Sequence, residues 1–243
     1  MPTPTSDMRI ELLKKPKNPI IIEAFPGFGL VGTIAAEFLI EHLQTELIGT
    51  IWFDKMPAIT AIHEEKLVQP LGLFYNKKFN IVILHAITNV KGIEWKLSDA
   101  LLDVAKQLNA KEIISLEGVG APGMSTTGKV FFYTNQQKKK DALKKLGIAP
   151  LKEGIIMGVT STLMLKVKEH PMTCIFAETT TNLPDSKAAA NVIQVLDQYL
   201  DLDVDTKPLL EQAKKFEEKL KIIMSQTEQS QQISDKKRLD YLG

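Results

Sequence analysis

The chain predicts an α/β fold in which a mostly parallel, mixed sheet carries helices on both faces. Three observations lead there. Short β-branched runs alternate with segments whose apolar residues recur at helical spacing. The first such run empties into a glycine-rich turn that opens a helix, and polar or proline-containing turns separate the later units.

In order, residues 1–17 read as a polar leader, with residues 9–13 available to pair as an edge strand. The run Ile20-Ile21-Ile22-Glu23-Ala24 is a strand, Pro26 to Gly32 a tight turn, and residues 33–43 a helix. On that helix Ile34, Phe38 and Glu41 fall on one line, with Ala35, Leu39 and Leu43 beside it. Residues 47–53 form a second strand, broken by Met56-Pro57. Residues 58–63 and 67–75 are extended, and Pro70 confines part of that to an edge or a bend. A polar turn at 76–80 leads into a buried strand at 80–86, so residues 67–86 make an antiparallel part of the sheet.

Residues 98–109 carry Leu101, Leu102, Ala105 and Leu108 at helical spacing, entered from Trp95 and Leu97. A strand at 111–116 is expected to end in the glycine-rich loop 117–123. Then come a strand at 130–133 and a helix at 136–146 whose Lys138, Lys139 and Lys140 read as its solvated face. A strand at 154–157, a helix at 160–168 and a strand at 172–178 follow. The helix at 185–200 has Ala188, Val192, Val195, Leu196 and Tyr199 as its inward stripe.

Residues 1–203 are therefore one α/β domain, 204–226 a C-terminal amphipathic helix and 227–243 a flexible tail. Leu209, Ala213, Phe216, Leu220, Ile223 and Thr227 step by 4, 3, 4, 3 and 4, the spacing of a heptad seam. So short a seam fits an oligomer interface or a helix docked on its own domain. After Met224 the composition turns to Ser, Gln and Thr, then to Lys236-Lys237-Arg238 and an apolar, aromatic tip.

At 243 residues and 44% hydrophobic, the chain can bury a large core. A formal net charge of +1 gives no overall bias toward nucleic acid or an anionic membrane, and neither is expected as a partner. No apolar run has the length of a membrane span and no secretory leader is recognisable, so a soluble, cytoplasmic protein is expected. The lone Cys174 sits in an apolar run and reads as a small core residue. The histidines (His42, His63, His85, His170) lack metal-ligand spacing, and neither a nucleophile elbow nor a Walker lysine occurs. No catalytic residue, metal or cofactor is expected. His85 and Glu117 lie near strand ends, where α/β sites gather, but read as ordinary rim residues.

The glycine turn has two readings. Gly27, Gly29 and Gly32 spell G-x-G-x-x-G, and Asp54 closes the next strand about 20 residues on, where a dinucleotide site places its ribose-binding acid. A nucleotide- or dinucleotide-binding enzyme would use this turn and the 117–123 loop. Against it, Pro26 removes an N–H at the approach and bulky Phe28 stands between the first two glycines. On the second reading Pro26, Gly27, Gly29 and Gly32 only shape the chain.

Phe25-Pro26-Gly27-Phe28-Gly29-Leu30-Val31-Gly32 and Met56-Pro57 resemble the N-terminal signature of the proteasome assembly chaperone 2 family. Gly158-Val159-Thr160-Ser161-Thr162-Leu163, Ala177-Glu178-Thr179, Leu183-Pro184-Asp185 and Ala188-Ala189-Ala190 extend the likeness in the same order. Leu200-Asp201-Leu202-Asp203-Val204-Asp205 and Leu209-Leu210-Glu211-Gln212-Ala213 complete it over residues 17–220. The resemblance implies an α/β/α sandwich like that of nucleoside phosphorylases without their catalytic equipment. It also implies an ATP-independent chaperone that self-associates and binds proteasome subunits, particularly the α-ring or core particle. Related archaeal-type chaperones carry a hydrophobic–tyrosine–any-residue tail that enters pockets between α subunits. By that likeness Leu239, Tyr241, Leu242 and Gly243 are the partner-binding tip, and Leu209, Ala213, Phe216, Leu220 and Ile223 the oligomer interface. The tail departs from the pattern: Tyr241 is third from the end, and Asp240 precedes it where an apolar residue belongs.

Overall fold

The computed structural model describes residues 8–63, 65–120, 128–179, 183–208 and 210–211. The strands are β1 (Met8–Leu12), β2 (Ile20–Ala24), β3 (Glu46–Phe53), β4 (Ala61–His63), β5 (Lys66–Val68), β6 (Leu71–Asn76), β7 (Ile81–Ala86), β8 (Glu112–Gly120), β9 (Val130–Thr134), β10 (Ala149–Pro150) and β11 (Met172–Thr179). The helices are α1 (Val31–His42), α2 (Glu94–Leu108), α3 (Gln137–Lys145), α4 (Gly158–Lys166) and α5 (Ser186–Leu200).

Nine of these strands make one mixed sheet in the order β1-β3-β6-β7-β2-β8-β11-β9-β10, while β4 and β5 form a separate hairpin. The central four, β7-β2-β8-β11, are parallel. Antiparallel pairings flank them, from β7 through β6 and β3 to β1 on one side and from β11 to β9 on the other. The parallel strands are buried on both faces, which is why β2, β7 and β8 read as near-continuous apolar runs.

Strand alternation divides the core in two. Ile22, Ala24, Ile114, Leu116, Ile175 and Ala177 face α1 and α5, with Leu143 of α3 in the same layer. Ile21, Val82, Leu84, Ile113, Cys174 and Phe176 face α2 and α4. Helix α1 is buried along most of its length, since α5 covers the side the sheet does not. Asp185 caps α5, its carboxylate accepting the Ala188 N–H at 2.9 Å, and Asp201 ends that helix in the left-handed region. Among the described residues no helix is long and apolar enough to cross a membrane.

Four expectations need correction. Residues 154–157 are not a strand; Ile155 and Met157 are exposed while Ile156 is half-buried, so the segment runs outside the sheet and leads into α4. Strand β8 continues through the expected loop at Glu117 and Gly118, because both pair with Phe176 and Ala177 of β11. Lys139 is only partly solvated: it turns inward to Glu112 at 2.5 Å, a carboxylate that also accepts from Thr173 and Tyr199. Glu41 lies exposed at the end of α1, outside the line that Ile34 and Phe38 bury.

Candidate functional site

Register alone assembles an unusual cluster. Glu23 on β2 stands opposite Ser115 on β8, and Glu117, two residues on, projects from the same face of the sheet. Cys174 flanks Ser115 from β11. Helix α4, lying over this face, brings down Thr160. Its hydroxyl is 2.8 Å from Ser115 Oγ, 3.2 Å from Glu23 Oε1 and 3.1 Å from Glu117 Oε2. Glu23 is wholly buried and Glu117 is 9% exposed, so two carboxyl groups share one hydroxyl inside the core.

Burial raises the Glu23 carboxyl from 4.5 to about 7, and the nearby Ser115 and Thr160 hydroxyls only partly oppose it. Burial and then the neighbouring Glu23 charge raise Glu117 from 4.5 to about 8, against hydrogen bonds from Thr160 and the Gly118 amide. At neutral pH the pair therefore holds a proton. Thr160 suits that state, accepting from the protonated carboxyl and donating to the ionised one. The Cys174 thiol beside the pair is held well above its ordinary range by burial and by both carboxylates, and stays neutral.

The glycine turn closes over this pair. A Cβ on Gly27 would overlap the Glu117 carboxylate, and one on Gly118 would overlap the Phe28 carbonyl. Gly29 adopts φ +62°, and a Cβ on Gly32 would overlap the Leu116 carbonyl where α1 crosses the sheet. Two features remove the dinucleotide reading. Glu117 fills the space beside Gly27 that a phosphate would need. Strand β3, which Asp54 directly follows, is also not next to β2; β6 and β7 intervene, putting the acid about 14 Å away across the sheet. Pro26, Gly27, Gly29 and Gly32 thus shape the chain, and what they shape is the wall of a cleft.

That cleft, of about 630 Å³, lies outside the carboxyl ends of the parallel strands. Phe25, Phe28 and Leu30 form one wall, and Ile155, Ile156, Met157 and Val159 another. Glu117 is its deepest acid; Asn89, Lys91 and Glu94 lie on the side of the β7–α2 connection. Among the described residues no group of three or more His, Cys, Asp or Glu could hold a metal. Among the described residues neither carboxyl is placed against a serine–histidine or cysteine–histidine pair, and what the arrangement can do is bind and hold a proton.

Residues 21–224 match the PAC2 family. The chain belongs to the PAC2 family. This PAC2 protein is 32% identical to PbaA of Pyrococcus furiosus, whose crystal structure is described as that of an archaeal homolog of proteasome-assembly chaperone. The match covers 92% of this chain and 99% of that one, with a TM-score of 0.83. It is 30% identical over 227 residues to an uncharacterised protein of Methanocaldococcus jannaschii, spanning 93% of this chain and 92% of that relative. The fold is shared with Pyrococcus furiosus PbaB, described as an archaeal proteasome activator, at 22% identity and a TM-score of 0.74 over 90% of this chain and 99% of that one.

The partner-binding tip expected of this PAC2 protein (Leu239, Tyr241, Leu242, Gly243) and the interface seam (Leu209, Ala213, Phe216, Leu220, Ile223) lie outside the described residues. Neither His85 nor Glu117 is a rim residue. His85 is buried with Nε2 3.0 Å from the Glu37 carboxylate, because α1 passes over that end of β7. Sequence reasoning missed Glu23, Ser115 and Thr160. The signal was there: a glutamate inside Ile20-Ile21-Ile22-Glu23-Ala24 has no polar face to occupy if that run is a central strand.

Proposed function

We propose that this protein is an ATP-independent chaperone or adaptor for proteasome subunits, acting in the cytoplasm as a homo-oligomer that offers its C-terminal tails to the α-ring. The observation that carries this reading is the 32% identity to PbaA over 92% of the chain, with the same fold throughout. Exposed apolar side chains on α2, α4 and the segment entering it (Trp95, Leu165, Ile155 and Met157) accord with a protein that works by contact.

In this reading the α/β domain is a rigid platform, the seam from Leu209 to Ile223 joins copies, and the tip at Leu239, Tyr241, Leu242 and Gly243 engages α subunits. A short tail buries little surface, but several tails held on one oligomer raise avidity by roughly 10² to 10⁴. Deleting residues 239–243 tests it. Capture of purified α subunits should fall at least tenfold while the oligomer, measured by light scattering, is retained. Equal capture by the truncated protein removes the tail from the mechanism, and no capture by the intact protein removes the proteasome reading.

A further inference from the structure

We propose that the cleft at the carboxyl ends of β2 and β8 is a binding site for a small apolar molecule bearing a primary amine, whose nitrogen donates to Glu117. The inference stands apart from the proteasome reading and rests on the cleft itself.

The first observation is how the pair is served. The Thr160 hydroxyl lies within 3.2 Å of Ser115, Glu23 and Glu117, and its single hydrogen cannot reach both carboxyls at once; Ser115 adds a donor to Glu23 and the Gly118 amide one to Glu117. Glu23 Oε2, buried, meets no hydrogen-bond partner among the described residues. Buried carboxylate oxygens are normally satisfied, and a donor that reaches Glu117 from the cleft leaves the Thr160 hydrogen to Glu23. Glu117 is the member a ligand can reach. It is nine-tenths buried, yet it lines the cleft while its other flank touches Thr160.

The second observation is the space in front of it. A cleft of about 630 Å³ is of the size that small-molecule sites occupy. Phe25, Phe28, Ile156, Met157 and Val159 give it apolar walls on two sides, Asn89, Lys91 and Glu94 edge the third, and Glu117 is its one buried acid, the usual plan of such a site. The glycine turn helps to maintain it: a Cβ at position 27 would press on the Glu117 carboxylate and displace it.

The chemistry of the pair selects the ligand class. A carboxylic acid would face like charge from Glu94 and from the ionised member of the pair. An alcohol brings one hydrogen; an ammonium brings three, with a charge that lets both carboxyls ionise. The charged groups facing Glu117 are Glu23 from β2, and Glu94 and Lys91 from the start of α2 and its approach. Glu94 is engaged by the Gly92 amide at 2.8 Å, and the Cys174 thiol from β11 is neutral. Bound ammonium therefore displaces the proton that the pair shares, and that proton leaves to the buffer.

The test uses three probes of matched shape: phenethylamine, phenethyl alcohol and 3-phenylpropanoate. Thermal melts of the full chain with each probe, up to ~10 mM so that a Kd of about 1 mM registers, are paired with calorimetry at pH 7.5 in two buffers of different ionisation heat. The amine alone should raise the melting temperature, and its apparent heat should differ between buffers as a proton is released. Glu117→Gln should weaken amine binding at least tenfold and abolish the buffer dependence. Phe28→Ala, which truncates an exposed wall and leaves the core intact, should weaken it severalfold. Equal effects from the three probes, no effect from any, or amine binding unchanged in Glu117→Gln would each overturn the proposal.

Discussion

The buried carboxyl pair should make this protein less stable as pH rises through neutrality, and substituting Glu117 should remove much of that loss. In the unfolded chain both carboxyls ionise near 4.5; in the fold they do so near 7 and 8. Between those values folding takes up protons, so the stabilisation is complete below about 4.5 and declines until about 8. A proton held by a group moved from 4.5 to about 8 is worth roughly 4–5 kcal/mol. Glu23 and Glu117 titrate as a pair and Glu23 remains in the variant, so the part removed with Glu117 is about 3 kcal/mol. Glutamine keeps the shape and can donate to Thr160, but has no proton to lose. Urea unfolding followed by circular dichroism at pH 5.5 and pH 8.5 measures the difference. Both tryptophans, Trp52 and Trp95, are too exposed to report the core by fluorescence. Relative to wild type, Glu117→Gln should gain about 3 kcal/mol between the two pH values, with an unchanged denaturant slope. Parallel pH curves for the two proteins, or a relative loss in the variant at pH 8.5, would refute the claim that the pair is held protonated by burial.

Other expectations follow from particular contacts. Gly27→Ala should destabilise by about 1–3 kcal/mol, because its Cβ overlaps the Glu117 carboxylate, and the combination with Glu117→Ala should cost less than the two changes added separately. Lys139→Met should lower stability by about 2–4 kcal/mol in chemical denaturation, since it leaves the buried Glu112 carboxylate with only Thr173 and Tyr199. Leu220→Glu should break the oligomer of the proposed function, seen as a smaller mass in light scattering, without altering the melting of the α/β domain. An unchanged mass would assign the seam to docking on its own domain instead.

Much of the architecture is legible in local pattern. Helix periodicity along residues 185–200 and alternation at the strands report burial directly, because a segment that packs against one layer must place its apolar side chains on one face. Buried Cys174 follows from the same logic. Where the reading failed, the cause lay in pairing. Glu117-Gly118 looks like a loop by composition, yet it stays in the sheet because β11 supplies partners from far along the chain. Lys139 looks solvated among its lysine neighbours, yet Glu112, 27 residues away, draws it in.

The sequence by itself determined the α/β class and most of the succession of strands and helices, the turn at Pro26 to Gly32, and the family. Local backbone preference and apolar spacing are properties of neighbouring residues, so they are written along the chain. Only the tertiary structure decided that Glu23, Ser115, Glu117 and Thr160 meet, and that Asp54 stands too far from the glycine turn to serve it. Both depend on which strands lie side by side. A carboxyl group's proton is governed by what surrounds it in space, and that surrounding is assembled from residues far apart in the chain.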